Sequence, residues 1–137
     1  MHVEPYLFFN GRCEEAIEFY KRALGAELVF LMRNREAPAP PPSELPPGSE
    51  NKVMHATLRI GSNSLMLSDG HCDGKPAFNG FSLSLDAASV AEAQRLFAAL
   101  AAGGKVLAPL AKTFWSASFG MVADRFGVSW LVSVAGA

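Results

Sequence analysis

Two stretches of the chain, 77 residues apart, carry the same helical signature, and this repetition limits the available folds more than any other feature. In the first, Arg12 to Leu24, apolar Cys13, Ala16, Ile17, Tyr20 and Leu24 recur at spacings of three and four among charged neighbours. Acidic residues come early, basic residues late, and Gly25 stands where a helix C-cap glycine belongs. In the second, Ser89 to Ala102, Ser89 and Glu92 have the capping-box spacing. The offset of 77 lays Ala16, Phe19 and Tyr20 on Ala93, Leu96 and Phe97.

Strand signals surround each helix in the same order. Val3–Phe9, Glu27–Arg33, Val53–Ile60 and Ser64–Asp69 belong to the first half, and Phe81–Asp86, Lys105–Leu110, Trp115–Ala123 and Val128–Val134 to the second. Both halves read β-α-β-β-β, an α+β pattern. A single helix covers only one face of a four-stranded sheet, so two halves, or a partner chain, must cooperate. The expected organisation is one domain, 1–137, built from module 1 (about 1–70) and module 2 (about 79–137). Six prolines between Ala37 and Gly48 exclude helix and central strand there, leaving either a mobile arm over a ligand cavity or a solvated loop.

Composition narrows the partners. Twelve Lys+Arg against 13 Asp+Glu, scattered singly or in pairs, do not make the basic patch that nucleic acid requires. No apolar run approaches the roughly 20 residues of a membrane span, and the start, which turns acidic after a short apolar stretch, does not read as a signal peptide. Two cysteines, Cys13 and Cys72, are no disulfide scaffold and point to a reducing, cytoplasmic setting.

Particular blocks then suggest a relationship: Pro5-Tyr6-Leu7-Phe8-Phe9-Asn10-Gly11, Glu14 to Tyr20, Val53-Met54-His55-Ala56, Phe81 to Leu85, Phe114 to Met121, and Asp124 to Trp130. With these the chain resembles the PhnB-like branch of the vicinal-oxygen-chelate (glyoxalase/bleomycin resistance/dioxygenase) superfamily. The resemblance implies two βαβββ modules whose curved half-sheets form a cup. It also implies metal-ligand positions at about Pro5, Met66, Gly80 and Leu131, none of which ligates a hard or borderline cation. No metal and no cofactor are therefore expected, Glu4 being the one neighbouring carboxylate. The same registration lines the cup with Leu7, Phe9, Ser64, Met66, Ser68, Ser82, Ser84, Ser129 and Ser133. Phe8, Leu65, Leu67, Phe81, Leu83, Leu85, Trp130 and Val132 then go to the core.

Among titratable side chains His55 stands out, sharing a strand face with Thr57 and Arg59 opposite the core. An imidazole there suits a general base or an anion site with Arg59 as a fixed cation, and equally a structural contact to the proline-rich arm or a subunit interface. Trp115, beside Ser116 and Ser118, offers an aromatic wall or a core contact. His71-Cys72-Asp73 reads as a turn, and Cys13 as a buried small hydrophobe. PhnB-like sequences have also carried the label demethylubiquinone methyltransferase; the 12 glycines include no G-x-G, so no nucleotide-type loop supports it.

The leading reading is a metal-independent, homodimeric small-molecule-binding protein, with His55 as candidate catalytic residue and Arg59, Met66, Ser68, Ser82, Ser84 and Trp115 as ligand contacts. The alternatives are a metal-dependent lyase or dioxygenase using Glu4 and His55, and a sequestering resistance protein.

Overall fold

The computed structural model describes residues 1–37, 46–72 and 74–135. The chain divides into two compact units, Met1–Pro76 and Ala77–Ala137. The first runs β1 (Tyr6–Phe8), α1 (Cys13–Leu24), β2 (Glu27–Arg33), β3 (Val53–Ile60) and β4 (Asn63–Ser68). The second runs β5 (Leu83–Ala87), α2 (Val90–Ala101), β6 (Lys105–Ala111), β7 (Ser118–Ala123) and β8 (Ser129–Val134). Each holds a four-stranded sheet, ordered β1-β4-β3-β2 and β5-β8-β7-β6, with its outer first strand parallel to its last. The helices begin and end 77 residues apart, so the sequence offset is the structural one. This is an α+β fold of two βαβββ modules.

Local chemistry explains the helix ends. Gly25 sits at φ 67 and donates its amide to the Lys21 carbonyl at 3.1 Å, a left-handed conformation that costs glycine little. At the start of α2, Ser89 Oγ accepts from the Glu92 amide at 3.1 Å, while Glu92 Oε1 accepts from Ala88, one residue upstream of a capping-box partner. The repeated trio is buried in both units: Ala16, Phe19 and Tyr20 in α1, Ala93, Leu96 and Phe97 in α2. Each large side chain removed from water there contributes about 1.5–3 kcal/mol.

Strand β1 departs from expectation by one residue. Leu7 and Phe9 are buried under α1, whereas Phe8 is 52% exposed, so the cup and core assignments of this strand are reversed. The cause is the register: β1 lies parallel to β4 with Tyr6 opposite Met66, Leu7 opposite Leu67 and Phe8 opposite Ser68. Leu67 in turn faces Ala56 beneath the helix, and a slip of one residue exchanges the faces of a strand. Phe81 and Ser82 precede β5 rather than lying in it, and Phe81 is exposed rather than core. Leu65, Leu67, Trp130 and Val132 are buried as expected, and Leu83 and Leu85 half-buried. Cys13 is buried. Of the proline-rich arm, residues 38–45 lie outside the described residues, as does Asp73 of the His71-Cys72-Asp73 turn.

Two buried carboxylates organise the loops. Asp69 Oδ1 accepts from the amides of Gly11 (2.7 Å) and Cys13 (2.9 Å), and Oδ2 from Val53 (2.8 Å), joining the start of α1, the start of β3 and the end of β4. Asp124 accepts from the Phe126 and Val128 amides and from the Trp130 indole N–H at 3.0 Å, closing the β7–β8 turn. On the surface, Arg33 grips Glu14 with both guanidinium arms at 3.0 and 2.8 Å. That hydrogen-bonded pair holds the Glu14 carboxyl below its ordinary range.

Candidate functional site

Helix α1 packs on one face of the first sheet, and the register decides what the opposite face carries. Along β3 the inward Ala56 and Leu58 are fully buried, so His55, Thr57 and Arg59 point away from the helix. Their neighbours in register are Met32, Phe30 and Glu27 on β2 and Met66 and Ser64 on β4, with Tyr6 beyond Met66 on β1.

His55 is tied on both sides. Tyr6 Oη lies 2.9 Å from its Nδ1, and Thr57 Oγ1 lies 3.3 Å from its Nε2. A phenol is the better donor, so Tyr6 donating to Nδ1 leaves Nε2–H to donate to Thr57. Rings continue this line. Tyr6 stacks at a tilt on Phe8 (centroids 5.1 Å apart) and on His55 (5.4 Å), and Phe30 of β2 meets His55 at 5.9 Å. Phe8 and Phe30 remain 52% and 44% exposed, which makes a solvent-facing aromatic row with one hydrogen-bonding line set into it.

The other expected contacts fall out differently. Met66 is half-buried between Tyr6 and Thr57. Arg59 is exposed and forms a long pair, 3.4 Å, with Glu27. Ser68 is 2% exposed, and its Oγ accepts from the Gly70 amide at 3.1 Å, so this hydroxyl serves the turn. In the second unit Ser84 is exposed opposite Leu131. Ser82 Oγ bonds Ser129 Oγ, and Ser133 Oγ donates to Asp86, both at 2.8 Å. Trp115 lies on the turn before β7, not within a strand. Thr113 Oγ1 accepts the Trp115 and Ser116 amides there and leaves the indole 54% exposed, edge-on to Phe114 and Phe119.

The metal positions can be tested against the register. Pro5 lies ahead of β1, its carbonyl accepting from the Met66 amide, and Gly80 lies ahead of β5. In the strand pairing Tyr6 lies opposite Met66 and Ser84 opposite Leu131. The thioether of Met66 and the isobutyl group of Leu131 are not donors for a hard or borderline divalent cation. Among the described residues no cluster of three or more His, Cys, Asp or Glu is arranged to hold a metal, and Glu4 is exposed ahead of β1. Neither cysteine is an activated nucleophile: burial, reinforced by Asp69, pushes the Cys13 thiol far up, and burial raises Cys72 as well.

Sequence reasoning missed Tyr6, Phe8 and Phe30 as site residues. The run Tyr6-Leu7-Phe8-Phe9 is apolar throughout, so alternation could not tell its two faces apart. Only the pairing with β4 does.

The family model described as 3-demethylubiquinone-9 3-methyltransferase matches residues 1–133. The chain belongs to this PhnB-like family. Among relatives, Protein YjdN of Escherichia coli (strain K12) is 40% identical over 98% of this chain and 95% of its own length. Protein PA1353 from Pseudomonas aeruginosa superimposes with a TM-score of 0.85 at 45% identity, covering 98% of both chains. A PhnB protein from Bacillus cereus, described as a putative 3-demethylubiquinone-9 3-methyltransferase, follows at 0.80 and 30%, covering 98% of this chain and 100% of its own. A glyoxalase-related enzyme from Fulvimarina pelagi, 20% identical over 98% and 88% of the two chains, shares the fold at a TM-score of 0.61. No helix among the described residues of this PhnB-like chain is long and apolar enough to cross a membrane.

Proposed function

We propose that this PhnB-like chain binds a small, planar organic molecule on the open face of its first sheet, without the divalent metal of its superfamily. The observation that carries the reading is the hydrogen-bonded line Tyr6–His55–Thr57 set between the exposed rings of Phe8 and Phe30. Such a surface gives a flat ligand stacking area and gives its polar edge a fixed donor and acceptor. Met66 supplies a polarizable floor between Tyr6 and Thr57, and Arg59 a cation at the rim. The side chains at the positions the resemblance implies, Pro5, Met66, Gly80 and Leu131, include no donor for such a cation, which supports independence from metal. Ser82, Ser84 and Trp115 form a second candidate contact set, assigned to the other unit. The reading further takes the chain as one duplicated domain, homodimeric and cytoplasmic, with free thiols that suit a reducing compartment.

The test is a thermal-shift and ligand-observed NMR screen of aromatic acids, ketones and heterocycles, on protein whose metal content has been measured. Hits that weaken at least tenfold in His55→Ala and persist after chelation are expected. Hits indifferent to His55, or stoichiometric zinc, nickel, iron or manganese required for binding, would overturn the reading. Light scattering at micromolar concentration is expected to give the dimer mass, and a monomer would remove that part.

A further inference from the structure

We infer that Tyr6, His55 and Thr57 form a proton relay that enolises a ketone bound on the aromatic row, a metal-free 1,3-proton shift. The inference rests on the binding site proposed above and adds chemistry to it. Both nitrogens of His55 face hydroxyl groups, Tyr6 Oη at 2.9 Å and Thr57 Oγ1 at 3.3 Å. A hydroxyl donates or accepts, so either protonation state of the imidazole is satisfied without any side chain moving. As the neutral ring it accepts from Tyr6 and donates to Thr57; as the cation it donates to both. Among the described residues, Arg59 on this face pairs with Glu27 at 3.4 Å. Among the described residues the hydrogen-bond partners of the imidazole are the two hydroxyls, with no carboxylate among them.

The outer end of the relay is open. Tyr6 is 37% exposed, and its ring touches those of both Phe8 and His55. An aromatic ketone stacked on Phe8, whose ring lies against Tyr6, brings its α-carbon to the Tyr6 oxygen. The C–H bond breaks as its proton passes to Tyr6 Oη, while the original Tyr6 proton passes to His55 Nδ1. The electron pair moves into the enolate, whose oxygen lies one carbon away. The imidazolium then returns its proton through Tyr6 to that oxygen, giving the enol and the resting protein. No oxidant, reductant or co-reactant is consumed. Tyr6 is the catalytic residue here, and His55 acts through it as a positioning and proton-storing residue.

The probe is 2-indanone, a planar aromatic ketone with acidic α-hydrogens. Loss of its α-proton NMR signal in D₂O is followed with the full chain, and binding is read in parallel from line broadening of the probe. The wild type is expected to accelerate exchange at least tenfold over buffer. Tyr6→Phe keeps the ring but removes the hydroxyl, and is expected to weaken binding while losing that acceleration even at probe concentrations that restore occupancy. Thr57→Val loses part of it. His55→Ala loses it, and added imidazole restores it, which a merely structural role would not do. Probe binding without acceleration, or acceleration that survives Tyr6→Phe, overturns the relay and leaves the binding reading standing. Neither binding nor acceleration overturns both.

Discussion

Asp69→Ala gives the sharpest test of how the first unit holds together. The Asp69 carboxylate is 1% exposed and accepts three backbone N–H groups, from Gly11, Cys13 and Val53, at 2.7–2.9 Å. Its own amide donates to the Val53 carbonyl at 2.9 Å, and its carbonyl accepts from Cys72 at 2.8 Å, so backbone bonds persist when the side chain is removed. Hydrogen bonds to a charged acceptor are worth about 1.5–3 kcal/mol each, and a buried donor left without a partner costs about 1–3 kcal/mol. Three such losses, reduced by water entering the space left by the carboxylate, give an expected destabilisation of about 4–5 kcal/mol for Asp69→Ala. Asp69→Asn keeps one oxygen for Gly11 and Cys13 but turns an amide N–H₂ toward the Val53 N–H, for an expected loss of about 2–3 kcal/mol. Urea denaturation followed by far-UV circular dichroism measures both. Domains of this size are stable by about 5–15 kcal/mol, so the alanine variant should be close to unfolding at 37 °C. A loss under about 1 kcal/mol in Asp69→Ala, or an asparagine variant worse than the alanine one, would refute the assignment of these bonds as the tie between the three segments.

Other consequences are as direct. Gly120→Ala places a Cβ 2.8 Å from the Phe97 ring and 3.0 Å from the Ala108 carbonyl, and should cost about 1–3 kcal/mol by the same measurement. In native protein at pH 8, iodoacetamide should label Cys72 slowly and Cys13 only after denaturation, read by mass spectrometry, since burial raises both thiols and Cys13 the more. Glu14 is held below its ordinary range chiefly by its hydrogen bond to Arg33, so the pair stabilises the fold above the unfolded carboxylate value and that contribution disappears as pH falls through the lowered one. Glu14→Gln should therefore flatten the acid limb of the stability profile just below pH 4.5, where the wild type falls.

The duplication, the helix limits and strand β3 were readable from spacing because the helices and β3 alternate buried and more exposed positions, and β2 from its apolar run Leu28 to Met32. Reading failed where that contrast is missing. Tyr6 to Phe9 carries no alternation, and its faces are set by β4, which lies some 60 residues on and whose register no local pattern encodes. Trp115 was drawn into a strand by its aromatic character, but the Thr113 hydroxyl competes for the Trp115 and Ser116 amides and makes a turn. His55 was visible as the histidine on the polar face of its strand, beside Thr57 and Arg59. Its hydrogen-bond partner Tyr6 comes from across the sheet, 49 residues away in the chain, where no local pattern points to it.

The wiring of each sheet also sets a clock on its assembly. The first strand of each unit pairs with its last, Tyr6 with Met66 and Ser84 with Leu131, so the earliest residues made wait for the latest before either sheet is complete. Loop closure over that distance is the slow, high-contact-order step of such a topology. Until β4 and β8 emerge, β1 and β5 are unpaired strands, and a nascent chain stalled before Ser129 would hold a finished first sheet and a second that lacks one of its two inner strands.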